Sequence, residues 1–283
     1  EPRDQIAFNT AGFEHLEKHG RDLAVPRIVP TKDGFSSTQL PFGEQNVVRL
    51  LTYLEGVPLK DVDLLERPFE DLGRFLGRLD HALSSFRHPA MPFELAWNSA
   101  TVDRLSSLTE HIIDLERKAL LRNGLAEFER QTNNSLSKLR HQVIHNDANL
   151  GNTLVTANDT RTITGLFDFG DVVYAPLVNE VAVAASYQIS SRVNVIDMLT
   201  SLVGGYHQYC PLTLEDIALL PYLIKARLMT TLLITSWRAS LFPANRNYIL
   251  RNTDGAWSGL QLMAEIDVSR LVASLHQVCD LEA

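Results

Sequence analysis

Residues 143–171 read VIHNDANLGNTLVTANDTRTITGLFDFGD, and this one stretch holds the side chains best suited to chemistry. It contains His145-x-Asp147 followed by Asn152, an H-x-D-x-x-x-x-N loop, and then Asp168-Phe169-Gly170 after an apolar run. A carboxylate that takes a hydroxyl proton, an asparagine that holds one Mg²⁺ and an aspartate that holds metal are what phosphoryl transfer requires close together. The spacing predicts how they meet. Asn152 leads into a strand over Thr153–Val155, Asn158–Arg161 turns, and Ile163–Phe167 returns antiparallel, delivering Asp168 beside the loop.

Either motif alone is a weak signal. In this order, with two strands between them, they are a strong one. The bland alternative is a plain hairpin in which Asp147 and Asn149 only stabilise a turn. The loop reads H-N-D rather than the H-R-D of protein kinases, and no A-P-E segment follows. A kinase acting on protein side chains is therefore disfavoured.

The elements that must position these residues are legible from periodicity. Residues 4–19 carry apolar positions at helical spacing and end near Gly20. Arg27–Val29 and Val47–Leu54 are β-rich, separated by a Gly/Ser/Pro/Asp-containing stretch over 30–45, and Glu55-Gly56-Val57-Pro58 punctuates like a hinge. Phe69, Leu72, Phe75, Leu76, Leu79, Ala82 and Leu83 predict a core helix within 65–86, with Pro68 in its first turns. Further helices are predicted over 102–121, about 124–139, 179–188, 193–209, 214–240 and 256–278.

Composition narrows the partners. The chain has 283 residues, 45% hydrophobic, with a net charge of −8. That suffices for one large domain or two lobes, and the acidic balance argues against nucleic acid or an anionic membrane. It suits a small substrate carrying an amine. Cys210 and Cys279 lie far apart without metal-type spacing, which points to a reducing, cytoplasmic setting. The apolar stretch Leu219–Ile234 is interrupted by Pro221, Lys225 and Arg227, so it is expected to be a buried helix rather than one of the ~18-residue runs that cross a bilayer.

The motifs and their flanks resemble the aminoglycoside phosphotransferase/choline kinase superfamily, and within it the hydroxylysine kinase branch. The resemblance is carried by VRLLTYLEG at 48–56, GRFLGRLD at 73–80, FRHP at 86–89, Trp97-Asn98, the loop 144–152 and the segment 166–180. It implies an α+β, protein-kinase-like two-lobed fold: a small N-terminal lobe over 1–55, a hinge near 51–56, and a large helical lobe over 56–283. It implies Asp147 as catalytic base, Asn152 and Asp168 as Mg²⁺ ligands, and ATP or GTP held through the backbone of Leu51, Thr52, Tyr53 and Leu54. His145 is implied to support the loop from beneath. The family's glycine-rich loop and lysine strand lie immediately upstream of a segment like Asp4–His19, so the chain is expected to begin just after them, with the N-terminal lobe incomplete. Asn9 stands where the family usually has Glu or Gln.

The acceptor site is less legible. Asp171 either pairs with a substrate ammonium or caps a turn, and Glu180 either joins that acidic face or starts a helix. Asn149 either touches substrate or metal or stabilises the turn. Trp97, Tyr174 and Trp257 either wall the acceptor pocket or pack in the core. Arg227, in an apolar helix, is the preferred partner for an amino-acid carboxylate. The expected activity is transfer of a γ-phosphate to the hydroxyl of a small amino alcohol or hydroxy amino acid, hydroxylysine-like first. The alternatives are an aminoglycoside-, choline- or homoserine-type kinase, and an inactive kinase-fold binding module.

Overall fold

The chain opens with helix α1 (Arg3–His19), which buries Phe8, Phe13 and Leu16 on one face. The computed structural model describes residues 3–39, 47–91, 94–133 and 135–281. Part of the loop expected over 30–45, from residue 40 on, and Phe93 beside Trp97 lie outside the described residues. Four short strands follow α1: β1 (Ile28–Val29), β2 (Thr38–Gln39), β3 (Val47–Val48) and β4 (Leu50–Leu51). β1 pairs antiparallel with β4, and β2 with β3. Thr52 continues this edge by donating its N–H to the Arg27 carbonyl at 2.8 Å.

β5 (Val57–Pro58) follows the connector, and helix α2 (Phe69–Leu83) comes next. α2 buries the expected apolar stripe, Leu72, Phe75, Leu76, Leu79, Ala82 and Leu83. The prediction of a helix over 102–121 is corrected. Ser99–His111 forms 3₁₀ turns, and a true helix begins only at α3 (Leu115–Thr132). The break has a local cause: Asp114 is an N-cap whose carboxylate accepts from the Arg117 N–H at 2.9 Å, which starts a new helix there. The helix expected over about 124–139 is accordingly the second half of α3.

The central unit is built from β6 (His141–Ile144), β7 (Thr153–Thr156), β8 (Asp159–Leu166) and β9 (Val173–Pro176). β7 pairs with β8 in a hairpin whose register runs from Thr156 opposite Asp159 to Thr153 opposite Leu166. The turn is tighter than expected, and the return strand starts at Asp159 rather than Ile163. β5 pairs with β7, and β6 pairs with β9.

The rest is helical: α4 (Val178–Ser186), α5 (Val195–His207), α6 (Leu214–Leu241), α7 (Arg246–Ile249), α8 (Thr253–Glu265) and α9 (Val268–Val278). The single helix expected over 256–278 is two, because Asp267 caps α9 by accepting from the Arg270 N–H at 3.1 Å. α6 begins with a capping box, Thr213 and Asp216 satisfying each other's backbone N–H groups. By length and composition α6 is apolar enough to cross a membrane, which corrects the expectation from sequence. In this fold 89% of its apolar window is buried, so it serves as the core helix of the lobe. Lys225 of α6 pairs with Glu127 of α3 at 2.6 Å, which lets a lysine sit among apolar neighbours.

α2 and α5 approach unusually closely. A Cβ placed on Gly73 would lie 2.0 Å from the Leu202 carbonyl oxygen, and one on Gly205 would lie 2.0 Å from that of Glu70. Both obstacles are backbone, which cannot rotate away. In an uncrowded helix Gly→Ala gains ~1 kcal/mol; here overpacking reverses the sign. Gly73→Ala should therefore cost about 2 kcal/mol or more, measured by chemical denaturation, and a neutral or stabilising result would refute this packing.

Candidate active site

The loop after β6 is shaped by three backbone constraints. Asn146 and Asp168 both adopt left-handed conformations, with φ of 64° and 65°. Such φ values are uncommon outside glycine, though Asn and Asp tolerate them best. Asn146 is held there by its N–H donating to Glu180 Oε2 at 2.9 Å and by its side-chain amide donating to the carbonyls of Trp97 (3.4 Å) and Asp171 (3.3 Å). Asn149 closes the turn: its Oδ1 accepts from the N–H groups of Gly151 (2.7 Å) and Asn152 (3.1 Å).

These constraints present Asp147. Its Oδ2 accepts from Asn149 Nδ2 at 2.9 Å and Asn152 Nδ2 at 2.8 Å, and its Oδ1 accepts from Arg227 Nη2 at 3.0 Å. A carboxylate offers about four lone-pair positions, so Oδ1 keeps one for an incoming hydroxyl. Burial pushes the Asp147 carboxyl upward, while Arg227 and the two asparagines pull it back toward the ionised form.

Arg227 itself is 1% exposed. Besides Asp147 it donates to the Trp97 carbonyl at 2.9 Å and the Tyr187 hydroxyl at 3.0 Å, and its guanidinium lies between the rings of those two residues. The expected role as a direct partner for a substrate carboxylate does not match this position, because the guanidinium is enclosed and faces Asp147. Tyr187, unremarked in the sequence, is brought into the site by this contact. Its position one residue past α4 carries no motif that would reveal it.

His145 is fully buried beneath the loop. Its Nε2–H donates to the Phe167 carbonyl at 3.2 Å, and its Nδ1 accepts the Asp147 N–H at 3.3 Å, which defines the neutral tautomer. Burial pushes its pKa down to about 4. The Phe169 ring packs edge-on against His145 at 4.6 Å and against Phe13 of α1 at 4.9 Å. Gln5 of α1 also donates to the Gly170 carbonyl at 3.2 Å, so the first helix is keyed to the Asp-Phe-Gly turn. Asn9 on that helix is 4% exposed, and its Oδ1 has no hydrogen-bond partner among the described residues.

Asp168 is exposed, and its charge acts on Asp147. The Asn152 nitrogen is committed to Asp147, which leaves its amide oxygen as the end able to face a cation. Among the described residues no cluster of three His, Cys, Asp or Glu side chains is present. Mg²⁺ in phosphoryl-transfer sites is bound through one or two side chains together with substrate phosphates, so one carboxylate and one amide oxygen beside a cleft fit that ion. A cavity of about 330 Å³ provides the cleft: Leu51, Thr52, Tyr53 and Leu54 line it with Leu154 and Asp168.

Not every candidate converges here. Tyr174 points away: its strand neighbours Val173 and Ala175 are buried, and the alternation turns its ring onto His141 at 5.7 Å. Trp257 lies under the Arg117 guanidinium at 4.9 Å and lines a separate cavity with His111 and Ile112. Asp171 sits in the turn after Asp168, and its charge acts on Arg227 and Tyr187. Glu180 is fully buried as the backbone anchor of the loop, with burial raising its carboxyl to about 7, and Asp80 nearby is raised well above the usual range by burial and by Glu180.

The fold and this arrangement of Asp147, Asn152 and Asp168 define a protein-kinase-like phosphotransferase fold. Residues 1–212 match the model of the phosphotransferase enzyme family, and the chain belongs to that family. Hydroxylysine kinase of Mus musculus is 26% identical over 230 residues, covering 78% of this chain, and the chain spans 61% of that relative's length. Among solved structures, a microcompartment-associated aminopropanol kinase superposes with a TM-score of 0.69 at 20% identity, covering 98% of this chain and 85% of that one. Amicoumacin kinase hAmiN, solved with AMP-PNP, Ca²⁺ and Ami, gives 0.66 at 16% identity, covering 96% and 82%. At these identities the structural likenesses are of fold.

Two outcomes follow from the buried charges. Arg227→Met should destabilise the chain by about 3 kcal/mol, and much less in an Asp147→Asn background, as a double-mutant denaturation cycle would show; equal costs would refute the pairing. Glu180 binds its proton more tightly folded than unfolded, so its contribution to stability is greatest below about pH 4.5 and is lost as pH rises through about 7. Glu180→Gln should flatten that decline in denaturation midpoints, and an unchanged slope would overturn the assignment.

Proposed function

We propose that this protein transfers the γ-phosphate of ATP or GTP to the hydroxyl of a small amino alcohol or hydroxy amino acid, with hydroxylysine-like acceptors first. The observation that carries the reading is the convergence of Asp147, Asn152 and Asp168 beside a cleft lined by residues 51–54. The mouse relative's name, hydroxylysine kinase, supports the choice of acceptor.

Each residue has a task. Asp168 and the Asn152 amide oxygen would hold Mg²⁺, which when bound neutralises charge on the phosphate oxygens. Asp147 Oδ1 orients the acceptor hydroxyl and takes its proton as the oxygen bonds to the γ-phosphorus and the bond from that phosphorus to the β-phosphate oxygen breaks, releasing the nucleoside diphosphate. Arg227 fixes the carboxylate's rotation, and Asn149 and Asn152 hold its second oxygen. His145 and Glu180 keep the loop backbone in place without exchanging protons with substrate.

Nucleotide turnover with Mg²⁺ across 5-hydroxylysine, homoserine, choline, ethanolamine and an aminoglycoside tests the reading. Turnover should depend on one acceptor class. Asp147→Asn should lower it by about 10²–10⁴-fold, the range for a lost general base, and Asp168→Ala should abolish it, each variant keeping the native circular-dichroism spectrum even where Asp147→Asn lowers the denaturation midpoint. Wild-type turnover in either variant would overturn the assignment.

A further inference from the structure

A second cavity, of about 230 Å³, adjoins the catalytic loop on its helical side. Leu150, three positions past Asp147, forms one wall. Tyr187 forms another, and its hydroxyl accepts from the same Arg227 Nη2 that reaches Asp147. Leu228 of α6 and Ala256 of α8 supply apolar surface, and Arg251 stands at the edge just before α8. Pockets for drug-sized ligands run from about 300 to 1,000 Å³, so this one suits a smaller molecule.

Its charge is distinctive. Among the described residues lining the cavity, Arg251 is the one charged side chain, and no Asp or Glu joins it. Arg251 Nη1 donates to the Tyr248 carbonyl at 3.0 Å, and the guanidinium sits over the Tyr248 ring at 4.0 Å from its centroid. It forms no ion pair among the described residues. The ring and carbonyl hold the planar group in place and leave donors for a bidentate anion, the geometry that a carboxylate matches. Arg227 is enclosed instead: its two terminal nitrogens are bonded to Asp147, Trp97 and Tyr187, and its Nε is buried without a partner among the described residues.

We propose that Arg251 is a specificity-determining residue that binds the carboxylate of the acceptor. The acceptor would then be an aliphatic hydroxy amino acid, with its carboxylate at Arg251 and its methylenes along Leu228 and Leu150 toward the loop that carries Asp147. This rests on the phosphotransferase reading for the hydroxyl's fate, but the binding itself is separable from turnover. An amino alcohol lacking a carboxylate leaves Arg251 unused.

Isothermal titration of the full chain with two matched pairs tests this: 5-hydroxylysine against its decarboxylated amine, and homoserine against 3-aminopropanol. In at least one pair the carboxylate-bearing member should bind tenfold or more tightly. Arg251→Gln should remove that gap while leaving the affinity for the decarboxylated member and the melting temperature unchanged. Equal affinities within both wild-type pairs, a gap that survives Arg251→Gln, or no binding of any of the four would overturn the proposal. Carboxylate-selective binding without phosphate transfer would uphold Arg251 and defeat the kinase reading instead.

Discussion

The structure depends on keeping one carboxylate, Asp147, ionised with little water around it. Withdrawing such a group from solvent costs several kcal/mol, and the loss is offset only by a well-placed opposite charge and further hydrogen bonds. Here those come from Arg227 and two asparagines. Arg227 is itself buried, and its terminal nitrogens are satisfied in turn by the Trp97 carbonyl and the Tyr187 hydroxyl. Satisfying that chain of partners draws four separate segments together: the loop after β6, the turn before the 3₁₀ stretch, the end of α4 and the middle of α6. The core helix is thus central for an electrostatic reason as well as an apolar one.

A second constraint acts on the backbone. Asn146 and Asp168 both take a conformation that costs free energy for a side-chain-bearing residue. Each is compensated locally, Asn146 through Glu180 and Asp168 through its own carboxylate accepting from Gly170 N–H. Phe169 then ties this turn to His145 and to Phe13. A displacement of α1 is therefore felt at the Asp-Phe-Gly turn through a short path of packed rings.

The order of motifs made the β7–β8 hairpin readable from sequence, because strand pairing is nearly determined once Asn152 and Asp168 bracket two short apolar runs. The stripe of α2 was readable for the same reason, a strong helical period. Helix boundaries at 111–115 and 266–267 were not, since each turns on a single capping aspartate, Asp114 or Asp267, within a sequence whose apolar pattern continues across it. The acceptor side was least legible. Arg227 stands out in sequence as a charge in an apolar helix, yet its direction depends on the rotation of α6. Tyr187, Asn146 and Arg251 gain their meaning only from neighbours distant in the chain. Trp257 and Tyr174 look like pocket walls by residue type, while amphipathic geometry and strand alternation send them elsewhere.

The contact between α2 and α5 bears on how such a molecule tolerates change over generations. Gly73 and Gly205 touch no reacting group, yet each meets backbone where any larger residue would sit. A saturation library scored by survival would rank them as severely as Asp147. Only a parallel readout of folded abundance would sort the scaffold's immovable positions from those immovable for chemistry. The same two glycines mark where drift is blocked, because any side chain there would have to push the backbones of α2 and α5 apart.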